Sequence, residues 1–179
     1  MAGITRDNGV RAYHFDMFKM ARENLEESLR IRSNDPYAHY YYGKILKLTA
    51  RTSQEKLRAL GEFAQAIQLD RRKVIAEPYL YRALSMIDTK DPSQMQEIVT
   101  ALKDYVAIYQ REHSGALPPN MEVIYDYMQE AGEVSWTATP AVNVSTKGID
   151  PIGAKMETTL RPAPPPPDNQ TTGTQPIQS

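Results

Sequence analysis

The stretch LRALGEFAQAIQLD, residues Leu57 to Asp70, decides the fold. Leu57, Leu60, Phe63, Ala64 and Ile67 recur at three and four, which lays them along one stripe of an α-helix; a half-buried strand would need strict alternation. Ala59 and Ala66 lie beside the large residues, so the buried face is stepped, with room for a neighbouring helix to come close.

Working outward, the same spacing recurs on both sides. Upstream, Phe18, Ala21, Leu25, Ser28 and Leu29 make an apolar stripe over residues 15–31. Asp35 and Pro36 then open a second helix that runs to about Thr49: Asp35 accepts from orphan N–H groups, and Pro36 fits the first turn without losing a needed donor. A polar link at Arg51 to Gln54 leads into the quoted stretch. Downstream, Asp70 to Lys73 breaks the pattern, and Glu77-Pro78 opens a helix through Tyr81, Leu84 and Ile87. Asp88 to Asp91 is a turn. Met95, Ile98, Val99, Leu102, Tyr105, Val106 and Tyr109 form the cleanest stripe, with Asp91 and Gln94 at capping-box spacing. Asn120 is expected to cap a last helix, with Val123, Ile124, Tyr127 and Met128 inward and an end near Gly132. No β pattern competes.

Three of these helices are copies of one another. A shift of 38 residues, then one of 42, aligns Ala21, Ala59 and Ala101; Leu25, Phe63 and Tyr105; and Leu29, Ile67 and Tyr109. The helices between them match as well: Pro36-Tyr37 falls on Pro78-Tyr79, Tyr42 on Leu84 and Gly43 on Ser85. Repetition at this length marks a solenoid of stacked helical pairs. The pattern predicts two complete pairs, an incomplete leading unit and a closing helix.

Tyr42-Gly43, Ala59, Phe63, Ala66 and the Ile67 to Asp70 ending resemble a unit of the tetratricopeptide repeat (TPR) family, and the resemblance covers Tyr13 to Gly132. The spacing exceeds the family's usual repeat, with extra residues near Arg51 to Glu55 and near Arg71 to Ala76. The resemblance implies an all-α, right-handed α-solenoid of antiparallel helix pairs. The expected organisation is a flexible N-terminus over residues 1–12, a TPR-like repeat domain over residues 13–132, and a disordered tail rich in Pro and Thr over residues 133–179. In that tail, RPAPPPP at Arg161 to Pro167 favours polyproline II and reads first as a stiff spacer, second as a docking motif.

Composition narrows the function. The chain has 21 Lys and Arg against 22 Asp and Glu, so no global field draws it to nucleic acid or to a membrane surface. It has no cysteine, which removes thiolate chemistry and disulfides. His14, His39 and His113 stand far apart, with no metal-ligand spacing, and no phosphate-binding glycine loop or nucleophile elbow occurs. No catalytic residue, cofactor or metal is expected, and the chain reads as a non-enzyme.

Tyrosine is the unusual residue, with eleven in the chain and three in succession at Tyr40, Tyr41 and Tyr42. Successive helical residues cannot share one face. With His39 and Tyr42 toward the core, Tyr37, Tyr40, Tyr41 and Lys44 are expected on another face, which in TPR proteins is the concave groove that receives peptides. Lys47, Tyr79 and Arg82 complete the expected set. An adaptor gripping a protein or peptide partner is therefore the leading reading. The competing one is a helical-repeat C-terminal appendage of a bacterial enzyme, for instance a zinc metallopeptidase, whose catalytic domain is absent from this chain. With no signal peptide and no transmembrane segment expected, a cytoplasmic location is the default, and an extracytoplasmic one applies if the chain is a fragment.

Overall fold

The computed structural model describes residues 2–132, and the expected tail lies outside them. Seven α-helices follow one another: α1 (Ala2–His14), α2 (Phe18–Ile31), α3 (Pro36–Thr49), α4 (Ser53–Leu69), α5 (Glu77–Ile87), α6 (Met95–Glu112) and α7 (Met121–Glu130). A short 3-10 turn, Pro92–Gln94, leads into α6, and no strand occurs among the described residues. Helices α1 and α2, α3 and α4, and α5 and α6 form pairs, each packed more extensively within itself than against the next pair. The result is an all-α solenoid of three antiparallel pairs closed by α7.

Residues 2–12 therefore belong to a packed helix and are not a flexible N-terminus, and the leading unit is complete. Gly3, Asn8 and Gly9 have turn propensity, yet Gly9 is the first pair's copy of Gly43, 34 residues earlier. A Cβ on Gly9 would stand 2.6 Å from Leu25 Cγ, and one on Gly43 would stand 2.8 Å from Phe63 Cε1. Each glycine is the notch that admits the large side chain of its partner helix. Ser85 takes this place in the third pair, its hydroxyl donating to the Tyr81 carbonyl at 2.8 Å.

The register explains the longer repeat. Twelve residues separate Gly9 from Ala21, while sixteen separate Gly43 from Ala59 and Ser85 from Ala101. The four extra residues amount to about one α-helical turn, so the same face still points inward. Most of them lengthen the second helix of the pair, since α4 and α6 begin six residues before their alanine and α2 only three.

The aligned residues make the core. Ala21, Ala59, Ala101, Leu25, Phe63 and Tyr105 are all buried, and Leu29, Ile67 and Tyr109 pack at the edges of the two apolar clusters. One cluster fills the first two pairs and the other fills the third pair and α7. Leu60 and Ile67 of α4 reach into the second, while Tyr81 of α5 reaches into the first, which joins the two. At the outer side of α1 the pattern opens to solvent: Ile4 and Asn8 are exposed where Ala38 and Tyr42, and then Leu80 and Leu84, are buried.

Local signals set most boundaries. The Asp35 carboxylate accepts from the N–H groups of Tyr37 and Ala38, and Pro36 stands in the first turn. Thr52 and Glu55 form a capping box at the start of α4. Two expected caps differ. Asp91 accepts from the Ser93 N–H and so caps the 3-10 turn ahead of α6. Asn120 gives α7 no side-chain cap, because its Oδ1 accepts from the Tyr105 hydroxyl at 3.4 Å.

The glycines divide cleanly into two kinds. Gly43→Ala should lower stability by about 1–3 kcal/mol, because Phe63 is fully buried and has nowhere to move. Gly61→Ala, with nothing within 4 Å of its Cβ and a helix-interior position, should raise it by about 0.5–1 kcal/mol. Urea unfolding of the two variants checks both signs.

Candidate functional site

The first helix of each pair lines one side of the stack. On that side α1 touches α3 and α3 touches α5, and the face these first helices share is the inner face of the stack. Position along each helix follows from the notch: Lys44 is next to Gly43, and Tyr40 and Tyr41 lie one turn earlier.

Here the structure builds an aromatic cage. The Lys44 Nζ lies 4.6 Å from the ring centre of Tyr13, 4.8 Å from Tyr81, 5.3 Å from Tyr40 and 5.6 Å from Tyr41. Three helices contribute: α1 gives Tyr13, α3 gives Tyr40, Tyr41 and Lys44, and α5 gives Tyr81. The rings meet edge to face, Tyr13 against Tyr41 at 5.6 Å and Tyr40 against Tyr81 at 5.8 Å, which is the arrangement their quadrupoles favour. A cation among such faces is attracted electrostatically, and the more so as water is removed. Burial drives the phenols upward, Tyr41 to about 12 and Tyr40 well above its ordinary value, with neighbouring groups such as Glu77 and Tyr81 adding to the rise. Both therefore remain neutral hydroxyls at ordinary pH.

The residues expected in a groove thus separate. Tyr40, Tyr41 and Lys44 do come together, but Tyr40 and Lys44 are buried and form the wall of the cage, not projecting contacts. Tyr79 is buried in the apolar cluster of the third pair and does not reach the inner face as a free ring. Lys47 crosses to Asp88 at 2.6 Å, tying α3 to the end of α5. Arg82 pairs with Glu97 of α6. Tyr37 is 45% exposed and Tyr41 partly so, which leaves these two as the accessible aromatics of the set. Sequence reasoning missed Tyr13 and Tyr81. Tyr13 lay at the margin of the recognised repeat, and Tyr81 read as an ordinary core position; the 34-residue step from Gly9 to Gly43 is the signal that brings α1 into register.

His39 fixes the helix that carries this surface. Its Nδ1 is 2.7 Å from a Glu62 carboxylate oxygen on α4, and its Nε2 is 2.8 Å from the Ser33 carbonyl. Both partners are acceptors, so satisfying both requires the imidazolium form with two N–H donors. Burial opposes that charge; the hydrogen bonds to Glu62 and Ser33, with Glu62 and Asp35 nearby, outweigh it and raise the His39 pKa. Tyr42 points to the core as expected, with its hydroxyl donating to Glu26 at 2.5 Å. Among the described residues no group of side chains could hold a metal ion, and no helix is long and apolar enough to cross a membrane.

The fold is a TPR-like solenoid of antiparallel helical pairs. It is similar to the crystal structure of the Sgt2 TPR domain from Aspergillus fumigatus, with a TM-score of 0.56 and 14% identity over 87% of this chain and 93% of that one. At that identity the likeness concerns the fold. No family model matches the sequence, and no curated protein matches it.

The His39 contribution has a definite sign. Because the folded pKa is raised, its stabilisation is complete below the ordinary value of 6.5 and is lost as pH climbs through the raised one. The unaltered chain should lose more stability than His39→Gln over that interval. Paired chemical-denaturation curves across the interval measure the difference.

Proposed function

We propose that this chain is a protein-interaction module that holds a partner peptide, extended or helical, against the inner face formed by α1, α3 and α5. The observation that carries the reading is the aromatic surface on that face. Tyr37 and Tyr41 are accessible, and the cage of Tyr13, Tyr40, Tyr81 and Lys44 backs them with a rigid wall. A partner meeting these rings gains contact area without ordering long flexible side chains, and such rings dominate binding energy at many interfaces. Lys47 and Arg82 lie along the same helices and would steer an acidic partner, although each already has a carboxylate neighbour. The role proposed for the buried trio Tyr40, Lys44 and Tyr79 is to position this surface.

Partner capture with the full chain tests the reading. Tyr37→Ala and Tyr41→Ala should each reduce recovery of bound proteins by about fivefold or more. Leu57→Ala, which alters an exposed residue of α4, should leave recovery unchanged. Equal recovery by all three variants would remove the inner face from the account.

A further inference from the structure

Beside the accessible tyrosines stands a carboxylate without an assignment. Glu77 opens α5, where the partial positive charge of the helix end favours it. It is partly exposed, and it has no hydrogen bond or ion pair among the described residues. Glu77 occupies at the start of α5 the place that Asp35, 42 residues earlier, occupies at the start of α3, and α3 touches α5; the charge of Asp70 and then that of Glu77 act on Tyr37, and that of Glu77 acts on Tyr41. Tyr37 and Tyr41 are four residues apart on α3, so their rings lie one turn apart on one face. The inner face therefore offers two neighbouring aromatic rings and an unused negative charge.

We infer that Tyr37, Tyr41 and Glu77 form a docking site for an arginine-flanked polyproline II segment, and that its occupant is this chain's own Arg161–Pro167. The inference rests on the reading of the inner face as a peptide-binding surface and names the peptide.

The chemistry matches group by group. Polyproline II has three residues per turn and no internal hydrogen bonds, and it docks by setting proline rings between aromatic side chains at little entropic cost. The run RPAPPPP supplies those rings, and Arg161 at its head supplies a guanidinium for the Glu77 carboxylate. Geometry allows the contact in one chain. Twenty-eight residues lie between Gly132 and Arg161. Fully extended they span about 95 Å, whereas helices packed about 10 Å apart put α3 only roughly 20 Å from α7. A tether of that reach holds the segment at an effective concentration on the order of millimolar, enough to fill a weak site. Docked in this way, the segment competes with any external partner for the same tyrosines.

The test uses the full chain at low micromolar concentration and a fluorescent peptide of residues 160–168, followed by anisotropy. In a full chain carrying Pro164→Gly, Pro165→Gly and Pro166→Gly the site is vacated, and the peptide should bind about tenfold or more tighter than it binds the unaltered chain. Adding Glu77→Gln or Tyr37→Ala to that variant should weaken binding by about threefold or more. Circular dichroism confirms that each variant keeps its helices. Equal affinity for the unaltered and triple-glycine chains, absence of binding to a folded triple-glycine chain, or indifference to both added substitutions overturns the inference. If partner capture still depends on Tyr37 and Tyr41 when the peptide does not bind, the interaction-module reading stands and only the polyproline occupant falls.

Discussion

The close approach of a side chain on one helix to a missing side chain on the next governs this structure. Leu25 fills the space a Cβ would take at Gly9, and Phe63 fills that space at Gly43. Because both large side chains are fully buried, the two helices of the first pair and of the second are each locked at one separation and one register. Everything else inherits that spacing. The alanines at 21, 59 and 101 can then be buried, and the second helix of one pair can receive the first helix of the next. Glycine inside a helix is otherwise unfavourable, so its presence at these positions reflects the packing it permits.

Closeness on one side of the stack also makes the inner face. With α1, α3 and α5 drawn together, tyrosines separated by up to 68 positions in sequence, from Tyr13 to Tyr81, meet around one ammonium group. A lysine at 1% exposure is tolerable because ring faces surround it on several sides. The cage stiffens the middle of the array, while Tyr37 and Tyr41 stay within reach of solvent at its edge. Rigid support behind adaptable contacts suits recognition of a peptide, since less freedom remains to be lost on binding.

Much of the fold was legible in the residues because apolar spacing, caps and repetition all agreed. The helix starts at Pro36 and Glu77 and the aligned triplets headed by Ala21, Leu25 and Leu29 followed from periodicity and turn chemistry alone. The first helix did not, since Gly3, Asn8 and Gly9 carry turn propensity locally and its glycine gains meaning only against Leu25, sixteen residues away. The surface was harder still. Periodicity told that Tyr40, Tyr41 and Tyr42 face different ways, but not which direction was occupied by α1 or α5, so Lys44 and Tyr79 read as projecting when neighbouring helices in fact cover them. Burial of a side chain is decided by what packs over it, and that information lies outside its own helix.

The most direct test is a double-mutant cycle between the notch and its occupant. If Phe63 and Gly43 interlock, Phe63→Leu should cost measurably less stability in a Gly43→Ala chain than in the unaltered one, with a coupling of about 0.5–3 kcal/mol from chemical denaturation. Additive losses from the two substitutions would contradict the interlock and, with it, the account of how these helices are held.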